Sequence, residues 1–275
     1  MKTTSVDLFS PVVPGLHSKN VMQSLKSLKL GDDILQEVQK ITYQDQSFIS
    51  FLTFFKITNA APRLMINSIT HSSFSNEYSI SSLETYERLE FLGDSVLELL
   101  MTEKLIKKFP TLSEGALSKL RGQLVRKSEL AKLGKLIGLN HFVLVGKGEY
   151  SQKIYEKESI LADVFESILG AVYQSLGLQA ANDYLDKVFE LYENNFDESF
   201  ISLSRAEGKN YKGRLQEHLM KIKKELPKYT DVEIESGEFL STVTVDRKVI
   251  GRAINKSKKL SQTNAAKSAL DYLTQ

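Results

Sequence analysis

The sequence contains no cysteine, which removes disulfides, zinc–thiolate sites and thiol nucleophiles at once. Histidine is scarce as well. His17, His71, His141 and His218 are the only four, and no two are spaced like ligands of one metal ion. A metal in this protein must therefore be held by oxygen, which suits Mg²⁺, with Mn²⁺ as the other fit. No apolar run reaches the roughly 20 residues of a membrane span. The first residues lack the charged-then-apolar pattern of a secretory signal and the arginine richness of a transit peptide. The expectation is an intracellular protein without a membrane partner, with nucleus or cytoplasm left open. Internal repeats and low-complexity segments are missing too.

What the chain does have is room for a core. Its 275 residues, 41% hydrophobic and 25% charged, match a soluble globular protein of one large or two ordinary domains. The net charge of +2 is unevenly spread. From residue 207 onward there are 14 lysines and arginines against 9 acidic residues; before it, 22 stand against 25. A basic C-terminal module on an acidic body suggests one part that holds a polyanion and one that holds cations.

Residues 1–20, with Pro11, Pro14 and Gly15, read as a flexible tail, and residues 21–60 as a helical extension. Within it, Gly31-Asp32-Asp33 forms a helix stop followed by an N-cap. Phe48, Phe51, Leu52, Phe54 and Phe55 make an aromatic patch, expected to pack on the next domain or on another copy of the chain. Pro62 opens a helix ending at Thr70-His71-Ser72-Ser73-Phe74, where His71 is expected to be a hydrogen-bonded structural residue. Residues 75–82 read as a loop, and a helix follows from about Leu83 to Phe109. Thr111-Leu112-Ser113-Glu114 has the pattern of a capping box. Helices follow over about 157–176 and 180–194, around which no strand pattern appears from residue 20 to 198. Residues 199–208 read as a linker. Residues 209–275 then follow an α-β-β-β-α order, with a helix from Tyr211, strands near Val232, Leu240–Val245 and Val249, and a last helix capped by Ser257. The fold class is thus an all-α domain over 61–198 followed by a small α+β domain.

Two of these helices carry carboxylates on one turn. With Glu87 at zero on a helical wheel, Glu90, Asp94 and Glu98 fall within about 60° of it, while Leu89, Leu92, Val96, Leu99 and Leu100 take the opposite, core-facing side. The plain reading is a solvated face, but Phe91 lies on it and Gly93 interrupts the helix at a cost of about 1 kcal/mol relative to alanine. Gly93 suggests something packed close. On the later helix Asp163 and Glu166 share a face with Ser159, Ser167, Gly170 and Gln174, opposite Leu161, Val164, Phe165, Ile168, Leu169 and Val172. If the helices face each other, Glu90, Asp94, Asp163 and Glu166 offer oxygen ligands to a hard cation. Four such charges repel unless a cation neutralises them. The pattern predicts an Mg²⁺ site, and phosphoryl transfer is the usual work of such a site.

Glu87-Arg88-Leu89-Glu90-Phe91-Leu92-Gly93-Asp94-Ser95-Val96-Leu97 closely resembles the defining motif of the ribonuclease III family. Thr70–Phe74, Glu114-Gly115-Ala116-Leu117-Ser118 and Leu161–Ala171 resemble three further segments of that family in the same order; Tyr86 departs from its usual asparagine. The resemblance implies an all-helical endonuclease that cuts double-stranded RNA, leaving 5′-phosphate and 3′-hydroxyl ends with short 3′ overhangs. It implies metal ligation and catalysis by Glu90, Asp94, Asp163 and Glu166, with Glu87 and Glu114 as supporting acids. It implies a homodimer, since each domain cuts one strand, with Phe91 as the aromatic that enters a socket on the partner. No small-molecule cofactor is implied. The N-terminal extension lies outside the usual bacterial arrangement and points toward a eukaryotic enzyme of the budding-yeast Dicer or RNA-processing type, with RNA interference among its settings.

The C-terminal module resembles a double-stranded RNA-binding domain through Ser257–Ala266. Lys256, Lys258 and Lys259 then stand at a helix N-terminus, where dipole and charge both favour phosphate, and Gln216 and Glu217 face the minor groove. Two departures stand out: Gly237-Glu238-Phe239-Leu240 replaces the expected Gly-Pro-x-His loop, and Ala253 and Asn255 replace glycines before the last helix. The alternative to an enzyme is a silent scaffold of the same fold, such as a ribosomal protein. All six acidic positions are filled here, which favours the enzyme.

Overall fold

The computed structural model describes residues 16–26, 33–203, 211–222 and 225–273; most of the expected tail and the Gly31-Asp32 stop lie outside them. Helix α1 spans Leu16–Leu25 and so begins within the stretch expected to be loose. Asp33 and Asp45 cap α2 (Ile34–Thr42) and α3 (Gln46–Phe54), each carboxylate accepting backbone N–H groups of the first turn. Pro62 opens α4 (Pro62–Ile69), where its missing N–H leaves nothing unsatisfied. His71 caps α5 (Ser72–Glu77), its Nδ1 accepting from the Ser73 N–H at 3.0 Å. Burial holds its pKa below the ordinary histidine value. Its role is structural, as the sequence suggested. The expected loop at 75–82 is shorter, because Ser75–Glu77 complete α5.

Next come α6 (Glu87–Lys108) and α7 (Glu114–Leu124). The expected capping box is not made: the N-cap is Ser113, which accepts from Ala116 N–H at 3.4 Å. This puts Glu114 at the first helical position, two residues short of the third position from which a capping-box glutamate reaches back to its N-cap. Helices α8 (Lys127–Leu136), α9 (Lys147–Ser151) and α10 (Glu158–Phe196) complete the bundle. Gly177, at φ 85° and ψ 179°, kinks α10 into two parts through a backbone state that glycine alone adopts readily.

The first part of α10 is buried on every side from Ile160 to Phe165 apart from Asp163, and on through Val172. Helices α4, α6 and α8 pack around it. Its small-residue face is therefore interior rather than open. The aromatic patch of α3 packs within its own unit: Phe48 and Phe51 meet Phe142 at 5.4 and 5.5 Å, and Phe55 meets Tyr184 at 5.0 Å. The apolar run Phe142–Val145 is buried, and Leu144 forms an isolated parallel bridge with Thr70.

The chain divides into two compact units at Ser202/Leu203. Phe200 and Ile201, expected in the linker, are buried, with Phe200 stacked on Phe189 at 4.6 Å. The first unit thus continues past residue 199. In the second unit α11 (Tyr211–Ile222) is followed by β1 (Lys228–Glu233), β2 (Phe239–Val245), β3 (Lys248–Asn255) and α12 (Lys258–Leu273). The sheet is antiparallel in the order β1-β2-β3. Asp246 and Arg247, both at positive φ, make the β2–β3 turn that matches strand twist. Leu215, Leu219, Val243, Val245, Ile250 and the alanines of α12 form the core between helices and sheet.

Candidate metal centre

Helices α6 and α10 cross where neither has a side chain. A Cβ on Gly93 would lie 1.8 Å from the Glu166 carbonyl oxygen, and one on Gly170 would lie 2.2 Å from that of Leu89. The two backbones touch, so residues beside the crossing are brought within one ion's reach. Glu90, Asp163 and Glu166 place carboxylate oxygens within 4.8 Å of one another. The site is built at the crossing itself, because Glu166 supplies both the carbonyl against Gly93 and one of the carboxylates.

Burial decides the protonation of this cluster. Glu166 is only 7% exposed. Burial first, then the charges of Asp94, Glu90 and Asp163, push its carboxyl up to about 8. Burial and the Asp163 charge push Glu90 up to about 7, with Lys127 opposing. Lys127 Nζ donates to Asp163 Oδ1 at 2.7 Å. Carboxyls held this far above their ordinary range are those that a divalent cation would relieve. The donor set, oxygen only, fits a hard cation.

The other acidic residues are placed differently. Asp94 is exposed and acts on Glu166 through its charge, outside the close cluster of three. Glu87 is exposed, and its charge reaches Glu90 and His71. Glu114 is exposed on α7 and lines an apolar pocket of about 260 Å³ with Thr102, Leu105, Ile106, Leu117 and Arg121. Phe91 is 79% exposed. Leu99, assigned by the wheel to the core, is 48% exposed, and Ile106 is 55% exposed. Lys127 was missed by the sequence argument. The available signal was a lysine following an arginine at a helix start, where the helix dipole disfavours cations.

In the second unit Lys256 and Lys259 are exposed at the start of α12, as are Gln216 and Glu217 on α11. Lys258 is engaged: its Nζ lies 3.2 Å from Asp231 Oδ2. Asp231 also accepts from Ser241 Oγ at 2.7 Å and from Gln262 Nε2 at 2.6 Å. Burial pushes the Asp231 carboxyl up, but these donors outweigh it and hold the pKa below its ordinary value.

A family model described as Ribonuclease-III-like matches residues 61–191, and one described as double-stranded RNA binding motif matches 211–273. Ribonuclease 3 of Streptococcus thermophilus is 36% identical over 226 residues, 80% of this chain and 94% of that protein. The chain belongs to the ribonuclease III family. Ribonuclease 3 of Halalkalibacterium halodurans is 34% identical over 236 residues, covering 84% of this chain and 87% of the relative. Among solved structures, the nuclease domain of ribonuclease III from Campylobacter jejuni is 35% identical, with TM-score 0.47, over 54% of this chain and 97% of that one. Dicer from Pichia stipitis is 29% identical, with TM-score 0.34, over 76% of this chain and 92% of that one. Membership of the ribonuclease III family accounts for the order of parts: a helical nuclease domain with an acidic cluster, then a three-stranded α+β module. No described helix is long and apolar enough to cross a membrane.

Proposed function

We propose that this protein is a Mg²⁺-dependent endoribonuclease that cuts double-stranded RNA as a homodimer, leaving 5′-phosphate and 3′-hydroxyl ends. The observation that carries this reading is the convergence of Glu90, Asp163 and Glu166 at a glycine-lined crossing in a ribonuclease III chain. Mg²⁺ held by these residues and Asp94 would lower the pKa of an attacking water and neutralise charge on the leaving oxygen. The chain's own part is to fix the carboxylates on two rigid helices and to hold Glu90 and Glu166 in a buried pocket, where a bound cation would displace their protons to solvent. The second module supplies duplex affinity through Lys256 and Lys259 at the α12 N-terminus, with Gln216 and Glu217 toward the minor groove and Lys258 braced by Asp231. Purified protein is expected to cut long duplex RNA in Mg²⁺ and to stop in chelator. Binding of duplex without cutting, at any Mg²⁺ concentration, would favour the silent scaffold.

Dimerisation follows from α6. Phe91, Ser95, Leu99 and Ile106 share one face, and its three apolar members are exposed. Two copies related by a two-fold axis near Leu99 would set Phe91 of one against the Ile106 end of the other, beside the pocket lined by Leu117 and Glu114. Glu114, distant from its own cluster, would then stand near the partner's. Phe91→Asp is expected to raise the dimer dissociation constant about thirtyfold, from the loss of ~2 kcal/mol at an aromatic anchor. Sedimentation equilibrium measures this, and an unchanged dimer would remove Phe91 from the interface.

A further inference from the structure

Lys127 opens α8, and Arg126 stands before it at the N-cap. Both sit at the end of the helix whose partial positive charge disfavours cations. Arg126 meets Glu129 at 2.7 Å one turn along the same helix. Lys127 instead reaches out of its helix to Asp163 on α10, at 2.7 Å. The lysine side chain is 64% exposed and the aspartate 14%, so a flexible, mostly solvated ammonium covers a nearly buried carboxylate. Its charge also acts on Glu90 and Glu166, the other two members of the cluster. A residue that breaks the local charge preference of its own helix has a reason elsewhere in the fold, and here that reason is the acidic cluster.

We propose that Lys127 is an internal competitor for the metal: its ammonium holds Asp163 in the metal-free protein, and a divalent cation takes that oxygen only by displacing it. The proposal rests on reading the cluster as a metal site. It makes metal affinity a property set from α8 as well as from the ligands. The long stem and exposure of Lys127 allow the head to swing into solvent without disturbing the helix.

Mn²⁺ binding to the full chain, followed by the electron paramagnetic resonance signal of free Mn²⁺, separates the two ideas. Lys127→Met and Lys127→Gln are expected to bind Mn²⁺ about three- to tenfold more tightly than wild type, the scale of one nearby charge on a partly exposed site. Lys127→Arg is expected to stay within about twofold, because it keeps the charge. In chelator, Lys127→Met is expected to melt below wild type, although removing a cation from the helix start would by itself raise the melting temperature. Unchanged or weaker Mn²⁺ binding by both neutral variants overturns the proposal while leaving the metal site standing. A wild-type chain that takes up no Mn²⁺ overturns the metal reading and this proposal with it.

Discussion

Gly93→Ala is expected to lower the melting temperature by roughly 4–8 °C and to slow duplex cleavage by about 10²-fold. Two effects oppose each other. Alanine favours the helix by about 1 kcal/mol over glycine. Against this, the new methyl would stand 1.8 Å from the Glu166 carbonyl oxygen, a backbone atom with no rotamer to yield. Overpacking of this kind costs ~1–3 kcal/mol where side chains can adjust, and more where two backbones must part. The clash wins, so α6 and α10 separate by on the order of 1 Å, the displacement at which catalytic geometry fails. Because Glu166 is the residue pushed, activity should fall further than stability. Calorimetry and a single-turnover cleavage assay test the two arms. A variant with wild-type melting and rate would mean that the crossing is not tight. Gly170→Ala meets the Leu89 carbonyl in the same way and should behave alike.

The gathering of Glu90, Asp163 and Glu166 was legible because helical periodicity puts Glu90 on one face and Asp163 and Glu166 on another, and the ribonuclease III motifs order those faces along the chain. Gly93 was legible only as an oddity. Its reason is a carbonyl more than 70 positions downstream, and no local pattern encodes where that carbonyl arrives. Leu99 misled because a wheel sorts residues by polarity alone, and its apolar side reaches round to a position that is 48% exposed. Ser113 displaced Thr111 as the cap because both carry a hydroxyl, and the helix started two residues later than the box pattern implied. Phe200 looked like linker because its neighbours are polar, yet one aromatic stacked on Phe189 holds the segment down. Lys127 escaped because its partner lies on another helix. Gly93 and Lys127 share one cause: a partner on another helix that no local pattern encodes.

Glu166→Gln separates chemistry from stability. Loss of one carboxylate ligand is expected to slow cleavage by about 10³-fold or more, several kcal/mol of lost charge stabilisation in the transition state, while duplex affinity stays within about twofold. Stability should move the other way in chelator. The Glu166 carboxyl has an ordinary value near 4.5 and is raised to about 8 in the folded protein, by burial and then by Asp94, Glu90 and Asp163. Between those values the folded state binds more protons than the unfolded one, so wild-type stability falls as pH rises from about 5 to about 8 and levels off above it. Glu90, raised to about 7, adds to the same slope over a narrower window. Glutamine carries no titrating proton and fits the same space, so the variant should lose part of the slope and melt above wild type at pH 8. Mg²⁺ should reverse the order, since only the wild type gains the full ligand set, and should release protons as it binds at pH 7. Melting curves at pH 5 to 9, with and without Mg²⁺, make the comparison. If wild type and variant show parallel pH profiles in chelator, Glu166 does not bear the buried charge that the helix crossing assigns to it.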